Sequence, residues 1–588
     1  MNGVQKPPNG GTGVKGDYPP SSLILRLMVV LCVLPVLIMF VYLSMFGVNV
    51  PYMDEWDEMH RVNSFLQGRH TLIELFEQHN EHRPATQRIG KIFIGSLTSC
   101  NSKSEMIFTQ LSMIIALLVI YIEFRKILEK KSYLIFFLPV PYIILSLRSW
   151  ENILWANQSC IYYCVLFGLL TFHFLSKINS ATNKYNLPLQ FFFGAVSAAA
   201  ASFSIISGLL VWPAGFFQIL VSGKINRTKM LLLWAAIGAV VFILYFHNYV
   251  KPSQHPALDG FLKYPVATIN FFLYTTGSSL FSGTTVRLIS GFFIVAASLL
   301  LLLFVNRNFL QKYSFWIASL CYFLVTVILI AIGRAGLLPN YWTMTDRYIT
   351  FVLMIPICLY VIYLGLVSSG EKLNKLTGTI VIALSIFMLV SIINSFIDGY
   401  KSGRSEKLRR EILAYYLSTY RYQPDEVLER FQYPAPELLR ESAAELEKLQ
   451  YSVFQRPFLP PLGSLSALNS AALCSGVLNG ENMNKINGQV VLDDNHNIMK
   501  IEGWAVDAVK KDIAGGIYIK IDEKLFPAFY GLYRADVGYQ IKARRTGFEI
   551  EIPVSLIDKG QHRLSIIVLT KDRRHYFMPR YDLAISRI

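Results

Sequence analysis

Residues 22–58 read SLILRLMVVLCVLPVLIMFVYLSMFGVNVPYMDEWDE, and this stretch decides the fold. From residue 22 to residue 48 it is apolar, with Arg26 as its one charge. A bilayer core of about 30 Å needs about 20 apolar helical residues, so the run is long enough to cross a membrane. Directly after it stand four carboxylates: Asp54, Glu55, Asp57 and Glu58. We therefore predict a spanning helix that leads at once into an acidic loop at the membrane surface.

The rest of the chain repeats such apolar runs. Of its 588 residues, 53% are hydrophobic and 16% are charged, whereas soluble domains average about 25% charged residues. The pattern predicts a polytopic α-helical membrane protein with about eleven spanning helices, in a transmembrane domain over residues 22–397. The run at 207–222 is short and contains Pro213, so we expect it to be broken or re-entrant. The other ten runs lie at residues 23–47, 105–125, 133–148, 159–176, 188–205, 230–247, 286–305, 314–333, 348–367 and 377–397.

Basic residues follow every second apolar run and predict the orientation. Short loops rich in Lys and Arg face the cytoplasm, which makes residues 1–21 a disordered cytoplasmic tail. The segments 49–104 and 248–283 and the C-terminal part then lie outside. Much of the +16 formal charge serves this orientation, so it does not indicate nucleic-acid binding. The basic loop residues are Arg125, Lys126, Lys130, Lys131, Lys177, Lys184, Lys224, Arg227, Lys229, Arg307, Lys312, Lys372 and Lys375.

The last two hundred residues are water-soluble in character. Residues 398–460 combine charges with apolar residues at helical spacing, which predicts an amphipathic helical linker of short helices. Residues 461–588 contain alternating apolar runs, for example at 516–521 and 562–568, bounded by turn residues. Such runs at close spacing predict an extracytoplasmic β-sandwich domain.

The acidic loop contains the first candidate site. Asp54, Glu55 and Asp57 are candidate catalytic carboxylates, because a carboxylate near an apolar boundary tends towards a raised pKa and is then a better general base. Adjacent Asp54 and Glu55 point in different directions, so one can act as base while a partner or a metal holds the other. A solvated acidic turn ahead of an interfacial helix remains the alternative.

The same loop continues with a second polar cluster, which we expect to meet Asp54 across the loop and to bind substrate. On a helix, His79 and His82 would share one face, so a metal site is a further hypothesis. Polar residues of an interfacial helix are the alternative. The candidate residues are His79, Asn80, Glu81, His82 and Arg83.

Two more candidate binding segments lie on the predicted outer side. The first offers aromatic faces and amide groups that suit a sugar ring, although Trp is also a common membrane anchor. In the second, Arg334 and Arg347, beside Tyr348, suit a phosphate, although they could equally snorkel to lipid or pair with Asp346 or Asp54. The residues of the first segment are Trp150, Glu151, Asn152, Trp155 and Gln158.

With these motifs the membrane body resembles the GT-C superfamily of membrane glycosyltransferases, in particular the bacterial type that decorates O-antigen and other surface glycans. The resemblance implies a polyprenyl-phosphate sugar donor, a glycan or lipid-linked acceptor, one inverting displacement and a bacterial inner membrane. It implies Asp54 as first choice for the base, with Asp57 or Glu55 second, and Arg334 and Arg347 for the donor phosphate. Members differ in using a divalent metal, so Mg²⁺ or Mn²⁺ stays open.

Three other functions compete with this one. A transporter or flippase of lipid-linked saccharides would line a path with intramembrane charges, whereas the predicted spans carry few and the ionisable groups gather on one face. A glycan polymerase or ligase would use similar external loops. A non-enzymatic assembly factor would work through its soluble domain alone.

Overall fold

The computed structural model describes residues 22–588 apart from 129–132, 181–185, 222–226, 253–259, 280–282, 335–345, 369–373, 432, 434, 469–472, 480, 484–488, 493–496, 508–509, 511, 535–543 and 579–582. The predicted tail at 1–21 and five of the basic loop residues lie outside the described residues. These five are Lys130, Lys131, Lys184, Lys224 and Lys372.

Helices form the first three quarters of the chain. They are α1 Ser22–Phe46, α2 Glu55–Leu66, α3 Ala85–Thr98, α4 Ser102–Arg125, α5 Tyr133–Phe137, α6 Pro139–Ile144, α7 Trp150–Ile153, α8 Ser159–Ser180, α9 Asn186–Ser202, α10 Val211–Leu220, α11 Arg227–Phe246, α12 Gly260–Lys263, α13 Pro265–Gly277, α14 Thr284–Leu300, α15 Arg307–Lys312, α16 Ser314–Arg334, α17 Ile349–Val352, α18 Met354–Ser368, α19 Asn374–Ser418, α20 Asp425–Leu428 and α21 Pro436–Leu449.

The helices form a multi-pass membrane bundle. Within the described part of the chain, nine helical segments are long and apolar enough to cross a bilayer. Two shorter apolar segments, Leu187–Ser202 and Ile206–Leu220, match the remaining predicted runs. The second of these starts as a 3₁₀ turn at Ile206–Leu210 before α10, as its short, interrupted sequence suggests. The span Asp346–Ser368 is buried on all sides, whereas α1 and α11 turn most of their apolar side chains outward, as lipid-facing helices do.

Two segments differ from the sequence prediction. Part of the predicted external loop at 248–283 is α13, which packs against α14 so closely that a Cβ on Gly277 would lie 1.8 Å from the Arg287 carbonyl oxygen. Small residues allow this close contact. The sequence did not predict α13 as a spanning helix because its 13 residues are fewer than a spanning run needs. Also, the last span continues without a break to Ser418, and its charged residues 406–414 are mostly strong helix formers.

The polar segments pack together on one side of the bundle, here called the loop side. Trp56 of α2 is fully buried, with its ring centroid 6.1 Å from Phe431 and 5.9 Å from Tyr433. Leu446 of α21 and Phe529 belong to the same hydrophobic cluster. The segment predicted as a linker is therefore a packed layer between the acidic loop and the C-terminal domain.

The C-terminal domain is built of twelve strands. They are β1 Ser466–Leu468, β2 Leu473–Leu478, β3 Glu481–Asn482, β4 Val490–Leu492, β5 Ile498–Asp507, β6 Asp512–Ile513, β7 Gly516–Ile521, β8 Lys524–Leu532, β9 Gly547–Pro553, β10 Gly560–Leu569, β11 His575–Phe577 and β12 Leu583–Arg587.

The strands confirm a C-terminal β-sheet domain. Their order is β1-β11-β10-β7-β8-β9-β5-β2-β3, with β12 on β10, β4 on β12 and β6 on β5. Strand β8 pairs with β7 through its first half and with β9 through its second, and the register shifts between Tyr530 and Leu532. This joins two sheets whose apolar faces share one core, with Ile501 and Ile550 on one sheet and Ile566 on the other. The alternating residues predicted this burial because a strand turns every second side chain inward.

Candidate active site at the loop side

A buried ion pair fixes the start of α2. Arg88 of α3 donates to both oxygens of Glu58, at 2.8 Å and 2.9 Å, and both side chains are fully buried. The same guanidinium donates to the carbonyls of Leu75 at 2.8 Å and Glu77 at 2.6 Å. Because these four hydrogen bonds fix the guanidinium, they hold the first turn of α2 in one orientation. Sequence reasoning missed Arg88, which lies in a mixed polar and apolar stretch without a motif.

Three carboxylates of this turn surround one imidazole. His79 Nε2 lies 3.9 Å from Asp54 Oδ2, and His79 Nδ1 lies 3.9 Å from Asp57 Oδ2 and 3.8 Å from Glu58 Oε1. Asp54 and Asp57 keep 47% and 44% of their side-chain surface exposed, whereas Glu58 is buried. The predicted meeting of the His79 segment with Asp54 therefore occurs. The two exposed carboxylates are the ones that a substrate can reach.

The environment separates the pKa values of Asp54 and Asp57. His79 lowers the pKa of Asp54 against the effect of burial, and the charges of Arg347 and His82 lower it further. Burial raises the pKa of Asp57, helped by the charges of Asp54 and Glu58, although His79 opposes it. The expectation of a raised pKa is thus wrong for Asp54 and holds for Asp57. Two neighbouring carboxylates with opposite shifts suit two different roles.

Glu55 points away from these carboxylates. It is fully buried, 4.0 Å from the Lys91 ammonium, which makes its shorter 2.7 Å contact with Glu105. Burial raises the pKa of Glu55, against the charge of Lys91. Because Glu55 is buried inside the loop layer, a substrate cannot reach it, and Glu55 is not part of the proposed site.

The His79–His82 segment is a tight hairpin turn and not a helix. The backbone of His79 and His82 pairs in both directions, at 2.8 Å and 2.9 Å, and Asn80 has a left-handed φ of 50° that Asn tolerates well. The two imidazoles consequently have different partners. His82 Nε2 lies 3.6 Å from Glu81, and its Nδ1 accepts from the Ile206 backbone N–H at 3.4 Å. The expected shared helical face for a metal is therefore absent from this turn.

Arginines approach the carboxylates from the bundle. Arg347 Nη2 lies 3.3 Å from Glu151 Oε1, and its guanidinium stands 5.7 Å from the Trp155 ring. Among the described residues its buried Nε has no hydrogen-bond partner. Arg334 Nη2 lies 3.5 Å from Glu81, and its Nε is 3.1 Å from the Tyr348 hydroxyl. The loop carboxylates and the helix-end arginines therefore line one region on the loop side.

Comparisons with known proteins give limited information. No protein-family model matches the chain. An uncharacterized protein of Archaeoglobus fulgidus is 26% identical over 207 residues, which covers 33% of this chain. The chain spans about half, 52%, of the length of that relative.

Two solved structures of the Archaeoglobus fulgidus oligosaccharyltransferase resemble the fold weakly. The complex with Zn and sulfate has a TM-score of 0.36 at 13% identity and covers 76% of this chain and 59% of that chain. The AglB complex with an inhibitory peptide and a dolichol-phosphate has a TM-score of 0.34 at 12% identity, with 76% and 62% covered. Scores this low do not establish a shared fold or activity.

Several predicted binding residues have structural tasks. Arg83 donates to the carbonyls of Tyr245 and Phe76, at 2.6 Å and 2.8 Å, and to that of His247, so it ties the end of α11 to the loop. Asn152 donates to the Arg347 carbonyl at 2.8 Å. Trp150 packs against the α1 cluster, whereas Trp155 and Gln158 are almost fully buried. Trp155 is thus too buried to stack a sugar, whereas Trp150 is only partly buried and its role in sugar binding stays a prediction.

The bundle also holds charges that the sequence reading overlooked. Asp346 lies 3.5 Å from Arg148 and 3.3 Å from Arg287, and Arg148 lies 3.3 Å from Asp398. These four residues come from four separate spans, and the two arginines are buried whereas the two aspartates are partly exposed. They cluster at the loop-side ends of the spans, next to Arg347, and not along a path through the bilayer.

A metal centre is not evident in this region. Among the residues that the structure describes, no group of three or more His, Cys, Asp or Glu side chains could hold a metal ion. Asp54 and Asp57 are instead turned towards the nitrogen atoms of His79.

The charge of His79 makes stability depend on pH. Burial alone would lower the pKa of His79, but Asp54, Glu58 and Asp57 raise it above its ordinary 6.5. The stabilisation is complete below pH 6.5 and is lost as pH rises through the raised pKa. We expect His79→Gln to lower the unfolding temperature at pH 6 and to cost much less at pH 9. The exposed His247→Gln is the control, and an equal loss at both pH values would show that His79 is uncharged.

Proposed function

We propose that the protein is a membrane glycosyltransferase that moves a sugar from a polyprenyl-phosphate donor to a hydroxyl of a glycan or lipid-linked acceptor. The observation that carries this proposal is the position of Asp54, half-exposed, close enough to Arg347 for that cation to lower its pKa. An inverting transfer needs a carboxylate on one side of the anomeric carbon and cations for the departing phosphate on the other. Asp54 and Asp57 supply the first, and Arg347 and Arg334 supply the second.

The proposed reaction is one displacement. Asp57 removes the proton of the acceptor hydroxyl, the acceptor oxygen bonds to the anomeric carbon, and the bond from that carbon to the phosphate oxygen breaks. The polyprenyl phosphate leaves with the electron pair. What favours Asp57 as the base is its raised pKa, because a base of higher pKa accepts the proton more readily. Asp54, kept ionised by its neighbours, faces the positive charge that develops on the sugar.

The proposed donor site is the region around Arg347. Among the described residues, the Arg347 Nε–H has no hydrogen-bond acceptor. A phosphate can accept two parallel hydrogen bonds from a guanidinium and would supply one. Arg334, next to Glu81, is the second candidate cation. The Trp155 ring and the Glu151 carboxylate hold the planar guanidinium of Arg347 in position, which limits the side-chain entropy lost when a phosphate binds.

The experiment uses full-length protein in liposomes with a panel of polyprenyl-phosphate monosaccharides. We expect release of polyprenyl phosphate that depends on the protein. Arg347→Met should reduce this release at least tenfold, because Met fills the space without the charge, and Arg347→Lys should restore part of it. Arg421→Met is the control, since that side chain is 62% exposed and remote from the carboxylates. Movement of intact donor across the bilayer without release would indicate a flippase.

The membrane placement is part of the proposal. Lys126, Lys177 and Lys312 lie at the bundle end opposite the loop side, and Arg227 begins α11 at that end. By the positive-inside rule this end faces the cytoplasm, which puts the acidic loop and the β-domain outside. A bacterial inner membrane and an O-antigen or similar surface glycan as acceptor fit this orientation. Glycan analysis of cells with and without the gene identifies the missing sugar.

A further inference from the structure

Tyr433 lies beside the proposed base and has no place in the mechanism described so far. Its ring centroid is 5.9 Å from that of the fully buried Trp56, at an interplanar angle of 42°. Asp57 directly follows Trp56 on α2, and burial together with the neighbouring Asp57 carboxylate raises the pKa of the Tyr433 hydroxyl. Tyr433 is half-buried, so part of the ring remains at the surface next to the half-exposed Asp57. Tyr433 is thus an aromatic ring that contacts a buried indole and lies close to an exposed carboxylate.

The two exposed carboxylates of α2 are turned towards different surroundings. The groups that lower the pKa of Asp54 are His79 and His82 of the loop hairpin and Arg347 at the end of the bundle. Asp57 has His79 in common with Asp54, but it also faces Arg61 and Tyr433, on the side of α21. Arg347 therefore acts on Asp54, whereas Tyr433 neighbours Asp57.

The charges around this approach are paired. Arg61 forms an ion pair with Glu77, and Arg69 forms one with Glu445, which also lies 3.7 Å from His60. Paired rim charges give no net attraction to an anionic or cationic ligand. A flat aromatic face with a nearby hydroxyl and carboxylate suits a neutral ring that has apolar C–H groups on one face and hydroxyls at its edge.

We propose that Tyr433 and Asp57 form the acceptor subsite, which binds a neutral pyranose ring by stacking it on the Tyr433 face with one hydroxyl towards Asp57. This proposal rests on the proposed function for the role of Asp57 and adds the place and chemical class of the acceptor. It also gives the segment between α19 and the β-domain a task in substrate binding. Sequence reasoning missed Tyr433 because it stands alone in a segment that reads as a linker.

Binding is measured without any donor, which keeps this test separate from the test of transfer. Full-length protein in lipid nanodiscs is mixed with a panel of neutral disaccharides (maltose, lactose, chitobiose and mannobiose), and saturation-transfer-difference NMR records which protons approach the protein. We expect signals from the ring C–H protons of at least one disaccharide. Tyr433→Ala should reduce them at least fivefold, and Tyr433→Phe should keep most of them because it retains the ring.

Tyr533→Ala is the matched control, because Tyr533 is a 55% exposed tyrosine of the β-domain and should bind no sugar. Tyr433→Leu, which keeps an apolar cover over Trp56, guards against a loss caused by unfolding, and it should lose the signals as Tyr433→Ala does. Signals of equal strength in all variants, or none from the whole panel with wild type, would overturn the acceptor subsite. Conversion of the donor to polyprenyl phosphate, measured on the same preparations, tests the proposed function separately. If the wild-type protein shows no conversion, the proposed transferase activity is refuted, whereas the result on sugar binding is unaffected.

Discussion

Asp54→Asn and Asp57→Asn will each reduce sugar transfer at least about 100-fold while the protein stays folded and inserted. Loss of a general base costs about 10² to 10⁴ in rate, which is the expectation for Asp57. Loss of a charge that stabilises the transition state costs about 10² to 10³, which is the expectation for Asp54. Asn is isosteric with Asp, so packing is preserved. The measurement is the initial rate of polyprenyl phosphate release with the active donor of the panel.

The pH dependence separates the two carboxylates. With Asp57 as base, the acid limb of kcat/KM lies above the ordinary Asp value of 3.8, because burial raises the pKa of Asp57. This limb should persist at low amplitude in Asp54→Asn and vanish in Asp57→Asn. Asp558→Asn is the control, since that carboxylate is 80% exposed on the β-domain. Full activity in both α2 variants would point to a transporter or scaffold instead.

Glu58→Gln will destabilise the protein by about 3–5 kcal/mol, because it leaves the buried Arg88 charge without its counter-ion. Arg88 then keeps its bonds to the carbonyls of Leu75 and Glu77, while the neutral amide offers one accepting oxygen in place of the two charged ones. The measurement is thermal unfolding in detergent followed by tryptophan fluorescence, to which Trp56 on the same helix contributes. Arg88→Met should destabilise the protein to a similar extent by leaving Glu58 unpaired.

The double variant Glu58→Gln/Arg88→Met is the decisive comparison. It removes both charges, so we expect it to be more stable than either single variant. Asp558→Asn serves again as control, because its pair with Lys524 is exposed and such pairs contribute less than about 1 kcal/mol. Simple addition of the two losses in the double variant would contradict a buried ion pair.

Local patterns predicted most of the architecture, for physical reasons that act over short distances. A spanning helix must be apolar over about 20 residues whatever its neighbours are, so the nine long spans found among the described residues are visible in hydropathy. Strands with one buried face alternate, which revealed the β-domain from runs such as Gly547–Pro553. The sequence did not predict the packing of α13 on α14, because this packing depends on close backbone contact at Gly277 and Gly291 and not on a long apolar run.

The candidate site divides in the same way. The sequence by itself determined that carboxylates follow the first span and that arginines stand at the ends of two later spans, since residue type and distance from an apolar run are local properties. Only the tertiary structure decided which carboxylate is exposed and which is buried with Lys91. It also decided which carboxylate has a raised pKa. These properties depend on burial and on charges such as His79, Arg88 and Arg347, which are remote in sequence and close in space.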